Sequence, residues 1–207
     1  SLYLTVLQKD SSGLAENILF RLDGSTLATQ ARWSLGRGAS GGAHPMGTAY
    51  VYVRYDGGRA WLSQVDLKTG LRRDLWAFQD ASPPLSPTFS PDGERIVFVR
   101  ARATGGQQLW MYALGKKDAP RPVSEVFEIL HNPRFISQQK VLMACGVKRI
   151  LQACIHRLDR EETLQVSEAP YGVLDPQHQE QRALVFLNRT GEGWSLDRVM
   201  ERRVRKR

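Results

Sequence analysis

Short apolar runs of strand length, separated by turn residues, follow one another along the chain. The clearest case is the run IVFV at residues 96–99, which follows the turn SPDG at residues 90–93. Pro91 fixes its own φ, Asp92 can hydrogen-bond the backbone and Gly93 permits a positive φ, so this turn should reverse the chain between two strands. An apolar run without alternation predicts a strand that neighbouring sheets cover on both faces.

This unit recurs with a period near 45 residues. The run YVYV at residues 50–53 lies 46 residues before residues 96–99, and a glycine-containing turn and a tryptophan-containing second strand follow both runs. The second strands end in turns that begin with a leucine, at spacings of 45, 47 and 44 residues. These leucines are Leu22, Leu67, Leu114 and Leu158. Short strands joined by turns at this period predict a repeated four-stranded module.

Stacked modules of this kind predict an all-β protein, a β-propeller of four-stranded antiparallel blades. Each blade buries its faces against its neighbours, and the radial arrangement leaves only short edges. A β-sandwich would not require near-copies at a fixed period. Residues 1–207 are read as a single propeller domain or propeller fragment, with repeat units at 1–30 (partial), 31–80, 81–127, 128–170 and 171–207. Four to five blades result, the first without its inner strand, either in a closed ring or as an arc of a larger propeller.

Residues 86–114 carry the most regular copy of the repeat. The SPDG turn, the apolar run at 96–99 and the run LWMY at 109–112 together resemble the TolB-type, WD40-like (PD40) propeller repeat. The units at 44–67, 132–158 and 175–200 match it less closely. The resemblance implies a propeller and, in bacteria, often an envelope location, so a periplasmic or other extracytoplasmic location is expected. The repeat motif is architectural in this family, and no catalytic residue carries over from it.

The chain is basic, with a net charge of +8 carried by 22 arginines and seven lysines. Such a balance favours acidic partners, anionic surfaces or nucleic acid by long-range attraction. The charge is scattered except in the run ERRVRKR at residues 201–207, which is expected to be a solvated terminus or a sheet edge rather than a binding arm. Nucleic-acid binding is therefore not expected, and no apolar run approaches the length of a membrane-spanning helix.

Residues with catalytic or metal-binding chemistry do not cluster along the sequence. His44, His131 and His156 have no neighbouring ligand at a zinc spacing, and Asp175 with His178 comes closest but falls in a degenerate blade turn. No Walker loop or HExxH motif is present, and no serine nucleophile elbow is expected. The chain is therefore predicted to have no enzymatic activity, no cofactor and no metal site.

The glycine-rich stretch from Ser34 to Thr48 is interpreted as a long loop between two blades. Long loops on rigid scaffolds often carry binding residues. This loop is the first candidate for a partner contact, through Arg37, His44 and Met46.

Cys145 and Cys154 occupy two strands of one predicted hairpin. With a turn centred on residues 149–150 they face each other across the ladder and could form a disulfide, which would indicate an oxidising compartment. With a turn at residues 148–149, Cys145 would oppose Gln152 and no bridge would be expected. Both registers remain open.

Most of the tryptophans occupy equivalent strand positions in the repeat, so a role in blade packing is favoured over stacking against a ligand. They are Trp33, Trp61, Trp76, Trp110 and Trp194.

These observations favour a non-catalytic scaffold, a TolB-like propeller of the bacterial envelope that holds a protein or peptide partner, with arginines steering an acidic partner. The alternatives are a sensor domain of a membrane-anchored transcriptional regulator and the gating propeller of a prolyl-oligopeptidase-type peptidase, which would need a separate α/β-hydrolase domain.

Overall fold

The computed structural model describes residues 2–9, 13, 15–80, 82–116, 118–147, 150–168, 172–179, 183–189 and 194–200, with the backbone alone at 39, 40, 147, 174, 175 and from 177 onward. The described residues form eighteen β-strands. In chain order they are β1 Leu2–Lys9, β2 Ala15–Leu22, β3 Thr29–Gly36, β4 Gly38–Ala43, β5 Ala49–Asp56, β6 Arg59–Asp66, β7 Arg72–Phe78, β8 Leu85–Phe89, β9 Arg95–Ala101, β10 Gln107–Ala113, β11 Arg121–Pro122, β12 Leu130–Ser137, β13 Lys140–Val147, β14 Ile150–Arg157, β15 Glu162–Gln165, β16 Val173–Gln179, β17 Ala183–Arg189 and β18 Trp194–Met200.

Within the described residues the strands pair in chain order into five antiparallel sheets. The first sheet holds β1–β3, the second β4–β7, the third β8–β11, the fourth β12–β15 and the fifth β16–β18. Extensive contacts join consecutive sheets, and the first strands β4, β8, β12 and β16 each contact the next. This arrangement confirms the predicted all-β propeller. In the described part of the chain, no helix is long and apolar enough to cross a membrane.

The hydrophobic core is divided among the spaces between consecutive sheets. On β9, Phe98 packs toward the second sheet, where its ring lies 5.7 Å from the ring of Phe78. Val97 and Val99, on the opposite face of the same strand, pack toward the fourth sheet against Met143 and its neighbours. Both faces of β9 are therefore covered, which explains why its sequence shows no polar alternation.

The three strands of the first sheet correspond to the last three strands of the second sheet. In the turn after β2, Asp23 accepts hydrogen bonds from the backbone N–H and the hydroxyl of Thr26. In the turn after β6, Asp66 accepts the same two bonds from Thr69. Because these turns are equivalent, β2 and β3 correspond to β6 and β7, and β1 corresponds to β5. The described residues of the first sheet thus include no counterpart of the inner strand β4.

The prediction of a long loop between Ser34 and Thr48 is wrong, and so is the unit boundary at residue 30. β3 pairs with β2 and belongs to the first sheet, whereas β4 opens the second sheet. Only Arg37 separates these two strands, which makes the connection between the first two sheets a single residue long.

The physical reason for this error lies in the glycines of β4. The segment GASGGA has no β-branched or aromatic residue, so it does not read as a strand. A Cβ atom on Gly38 would overlap the carbonyl oxygen of Val53, and one on Gly41 would overlap that of Val51. The backbones of β4 and β5 approach so closely that glycine is required at both positions.

We predict that Phe98→Ala lowers the free energy of unfolding by about 3 to 5 kcal/mol, because the fully buried ring fills the space between the second and third sheets. Urea denaturation followed by circular dichroism measures this change. Leu71→Ala is the matched control, since Leu71 is 71% exposed and its truncation should cost less than about 0.5 kcal/mol. Equal losses in the two variants would contradict the described packing.

Candidate functional site

The first strands of the last four sheets, β4, β8, β12 and β16, are here called the inner strands. A β-bulge interrupts each of them at an equivalent position, and β12 has a second register shift between Phe135 and Ser137. In each case two residues of the inner strand oppose a single residue of its partner strand. The bulged pairs are residues 40–41 in β4, 86–87 in β8, 132–133 in β12 and 175–176 in β16. The bulges therefore recur with the period of the blades.

Two of these bulges hold non-glycine residues in the left-handed region of backbone conformation. Ser86 and Asn132 both have a φ of 49°. Such a conformation is uncommon for residues with a Cβ and costs on the order of 1 to 3 kcal/mol. Each is followed by a buried proline, Pro87 or Pro133, which has no N–H to leave without a ladder partner. The Ser86 hydroxyl donates to Oδ1 of Asn132 at 3.4 Å, so the two bulges are linked.

The bulges of the second, third and fourth sheets line a common cavity, here called the axial cavity. Its volume is about 150 Å³, enough for a side chain of a partner but not for a large ligand. Hydroxyl, carboxamide and guanidinium groups converge there, and the described lining includes no carboxylate. The lining residues are Gly41, Gly42, Ser86, Pro87, Thr88, Asn132, Pro133 and Arg134.

The chemistry of the axial cavity suits binding. The hydroxyl of Thr88 and the amide NH₂ of Asn132 can donate hydrogen bonds, and Arg134 adds a positive charge on its rim. An acidic or carbonyl-rich group of a partner would be complementary to this lining. In the described residues, no cluster of three or more His, Cys, Asp or Glu side chains could hold a metal ion.

The sequence GASGG at residues 38–42 matches the letters of the GxSxG nucleophile elbow, contrary to the expectation that the chain has none. In an elbow the serine occupies a sharp turn between a strand and a helix. Ser40 instead lies in the bulge of β4, and the chain continues as strand on both sides of it. The match is therefore a coincidence of the glycines that the close strand pairing requires.

The three residues proposed for partner contact do not form one loop. Arg37 lies before β4, where its carbonyl oxygen accepts the N–H of Tyr55 at 2.8 Å. His44 and Met46 lie after the other end of β4, about 20 Å away for a strand of six residues. Met46 is 80% exposed, and its backbone N–H lies 3.2 Å from Nδ1 of His44. A partner contact through these residues stays a prediction.

His44 has a packing role between the second and third sheets. Its ring lies 5.1 Å from the ring of Phe89 in an edge-to-face arrangement. A Cβ atom on Gly93, in the SPDG turn, would overlap this imidazole, and Gly93 also has a φ of 75°. The glycine of the SPDG turn is therefore needed both for the turn and for the neighbouring blade.

Cys145 and Cys154 are paired in the structure, with their Cα atoms 6.0 Å apart. Val147 pairs with Ile150, so Cys145 opposes Gln152, as in the second predicted register. The expectation that this register forbids a bridge is wrong, because the two cysteines are diagonal neighbours on one face of the ladder and their Cα separation of 6.0 Å lies within disulfide range. Whether the thiols are oxidised depends on the compartment, so the bridge stays a prediction for the protein in solution.

Arginines stack on aromatic rings at equivalent positions of consecutive sheets. Arg54 lies 5.7 Å from the Trp61 ring, and Arg100 lies between the rings of Phe78 and Trp110 at 4.6 and 4.8 Å. Arg100 also bonds Asp80 and the carbonyl oxygen of Ser82. These contacts assign the described tryptophan–arginine pairs to blade packing; the side chain of Trp194 lies outside the described residues.

The described histidines are dispersed. His131 is exposed, whereas His156 is fully buried with Nδ1 2.9 Å from the hydroxyl oxygen of Thr163. Burial lowers the pKa of His156 below its ordinary value of 6.5, and the charge of Glu125 opposes this shift only in part. The side chains of Asp175 and His178 lie outside the described residues.

The axial cavity was not predicted from the sequence, although a signal exists. A small polar residue followed by proline occurs as Ser86-Pro87, Asn132-Pro133 and Asp175-Pro176, at intervals of 46 and 43 residues. This dipeptide marks the bulge in three consecutive blades. In the second blade the corresponding pair is Ser40-Gly41, which hides the period.

We predict that Cys145 and Cys154 are alkylated under denaturing conditions only after reduction. Mass spectrometry of the labelled peptides reads this directly. Reduction, or the double change Cys145→Ala and Cys154→Ala, should lower the free energy of unfolding by about 2 kcal/mol, because the cross-link restricts the unfolded chain. Full labelling without reductant would contradict the bridge.

We predict that stability falls through His156 as the pH drops below about 6.5, the ordinary pKa of histidine, because the unfolded state then binds a proton that the buried imidazole resists. The free energy of unfolding should fall less steeply in His156→Gln than in the wild type. His131→Gln, at an exposed histidine, should keep the wild-type slope. Parallel slopes for all three proteins would assign the effect to other groups.

No protein family model and no curated protein sequence matches the chain. Solved structures share its fold. TolB from Acinetobacter baumannii superposes with a TM-score of 0.77 at 14% identity, over 95% of this chain and 49% of that chain. A putative TolB from Agrobacterium tumefaciens gives a TM-score of 0.59 at 17% identity, over 79% of this chain and 60% of that one.

Peptidases are also similar. Prolyl oligopeptidase B from Galerina marginata gives a TM-score of 0.63 at 12% identity, over 90% of this chain and 30% of that chain. The chain spans about half the length of the Acinetobacter TolB and less than a third of this peptidase. At such identities the similarity shows the fold alone: a β-propeller of the kind found in TolB and in peptidases of the prolyl oligopeptidase type.

Proposed function

We propose that the chain is a non-catalytic scaffold, a TolB-like propeller domain that holds a protein or peptide partner at the axial cavity. The observation that carries this proposal is the convergence of bulges from three consecutive blades on one polar cavity. Strained backbone at Ser86 and Asn132 is maintained there by the surrounding packing, which is typical of functional positions.

The partner is an acidic protein or peptide. The net charge of +8 attracts such a partner over long range, and the lining of the axial cavity offers donors and the charge of Arg134 at short range. The cavity lies between rigid sheets, so little conformational entropy is lost when a partner binds.

The compartment is extracytoplasmic. The placement of Cys145 and Cys154 supports this location, since their Cα atoms lie 6.0 Å apart and a bridge between them would persist in an oxidising compartment. The resemblance of residues 86–114 to the TolB-type repeat points the same way.

A second candidate function is the gating propeller of a prolyl-oligopeptidase-type peptidase. The similarity to the propellers of such peptidases favours it. It requires a separate α/β-hydrolase domain joined to this chain. Labelling of the native protein that contains residues 1–207 by a serine-directed covalent inhibitor would support this candidate. An absence of labelling would exclude it.

We predict that residues 1–207, used as bait against envelope and cytoplasmic extracts, retain one acidic partner from low salt up to about 0.5 M, where exposed charge attraction is screened. Arg134→Glu should weaken retention at least about tenfold, because it reverses the charge at the rim of the cavity. Quantitative mass spectrometry of the bound fraction measures this change.

The matched control is Arg121→Glu, which makes the same charge change on the outer strand β11, away from the axial cavity. It should retain the partner as the wild type does, and thermal melts should show that both variants are folded. Recovery of nucleic acid and assorted acidic proteins alone, all lost at about 0.5 M salt, would contradict a specific partner. Equal retention by both variants would place the contact elsewhere.

A further inference from the structure

A second polar cavity, here called the outer cavity, lies between the third and fourth sheets on the side of their outer strands. Its volume is about 210 Å³. The third sheet lines it with β10, β11 and the segment after β11, and the fourth sheet lines it with the turn between β14 and β15. The lining residues are Gln108, Pro122, Val123, Ser124, Glu125 and Glu161. The inner strands do not contribute to this described lining, so the outer cavity is separate from the axial cavity.

Two carboxylates from different sheets meet at the outer cavity. Glu125 belongs to the third sheet and Glu161 to the fourth. Neither carboxylate forms a hydrogen bond or an ion pair with another described residue. The nearby Arg157 pairs with Asp159 and Glu162 instead. On a chain with a net charge of +8, this cavity is therefore a local concentration of negative charge.

A buried imidazole lies behind the outer cavity. His156 is fully buried, its Nδ1 lies 2.9 Å from the hydroxyl oxygen of Thr163, and its Nε2 has no hydrogen-bond partner among the described residues. Burial lowers the pKa of this imidazole, and the lining groups Glu125, Val123 and Glu161 act on it in the opposite direction. Because Thr163 engages Nδ1, the unpartnered Nε2 is the nitrogen that faces these lining groups.

The unpartnered groups indicate the chemistry of a ligand. A buried nitrogen without a hydrogen bond is costly, and it becomes an acceptor when Nδ1–H donates to Thr163. The neutral ring also leaves the charges of Glu125 and Glu161 uncompensated. A cation with several N–H donors would satisfy all three groups. A metal ion fits less well, because the described residues supply no set of three metal ligands.

We propose that the outer cavity binds the guanidinium group of an arginine side chain from a protein partner. A guanidinium presents its N–H donors in a planar, rigid fork, so it can bond carboxylates from two sheets at once, whereas an ammonium is a compact point charge. The volume of the cavity suits one side chain rather than a larger ligand. The outer cavity selects the charge opposite to that selected by the axial cavity, so the inference goes beyond the proposed function and does not depend on it.

The probe is a blocked glycine–arginine–glycine tripeptide. Isothermal titration calorimetry with the 207-residue chain should show saturable binding at one site. The same tripeptide with citrulline, which has a neutral urea group of the same shape, should bind at least about tenfold more weakly because it lacks the charge, and so should the lysine tripeptide. Free L-arginine should also bind more weakly than the arginine tripeptide, because the carboxylates of the cavity repel its own carboxylate.

Glu161→Gly removes one carboxylate at a position that accepts glycine. Glu161 has a φ of 51° four residues after Arg157, and Gly70 has a φ of 72° four residues after Asp66, in the equivalent turn. Glycine adopts this conformation without strain, so the variant should fold. It should bind the arginine tripeptide at least about tenfold more weakly, because a charge-assisted hydrogen bond is lost.

Glu125→Gln should weaken binding to a similar extent from the other side of the cavity. The matched control is Glu128→Gln, which makes the same change at an exposed residue of the same segment, outside the lining. It should bind as the wild type does. Nitrogen-15 NMR of the histidine side chains locates the site, since Nε2 of His156 should shift on binding and the exposed His131 should not.

Equal affinity for the citrulline or lysine tripeptide would overturn the proposal, as would tighter binding of free L-arginine, which would make the ligand an amino acid rather than a partner's side chain. Wild-type affinity in both Glu161→Gly and Glu125→Gln, or an unchanged His156 resonance at saturation, would place the binding elsewhere and overturn it too.

Discussion

The structure depends on the burial of both faces of β5, β9 and β13, the second strands of the second, third and fourth sheets. On β5, Val51 and Val53 pack toward the third sheet, whereas Tyr50 and Tyr52 pack toward the first. Fully burying one such side chain is worth about 1.5 to 3 kcal/mol, which a sheet on its own would forfeit. Each sheet is therefore stable only between neighbours, and stability is approximately a sum of contacts between adjacent repeats. Buried polar side chains also occur on strands, where the hydroxyl of Ser63 donates to Asp74 and Nδ1 of His156 contacts the hydroxyl of Thr163.

The fold could be predicted from the sequence because this constraint leaves a direct trace. Runs such as residues 96–99 are apolar at every position, and the glycine of the SPDG turn supplies the positive φ that this turn requires. The strand β4 could not be predicted in the same way. Its glycines are required because the backbones of β4 and β5 approach closely. A close approach of two backbones leaves no hydrophobic pattern in the sequence, and glycine has a low strand propensity. The register of Cys145 and Cys154 was likewise open, because a shift of the turn by one residue decides it.

The candidate site was missed for a related reason. Ser86 and Asn132 act through their backbone conformation and position, and neither residue type suggests chemistry by itself. Only the alignment of bulges on neighbouring inner strands brings their side chains to one cavity with Arg134. The loop residues selected from composition lie elsewhere: His44 packs against Phe89, and Arg37 occupies a junction between sheets. Binding groups in such a fold are a property of the repeat rather than of any single motif.

The single residue between β3 and β4 has a consequence for how the chain assembles. The other sheets are joined by longer connections, such as residues 79–84 between β7 and β8. The entropic cost of bringing two elements together rises with the length of the chain between them. With Arg37 as the whole connection, the first two sheets meet at a high effective concentration and have little freedom to separate.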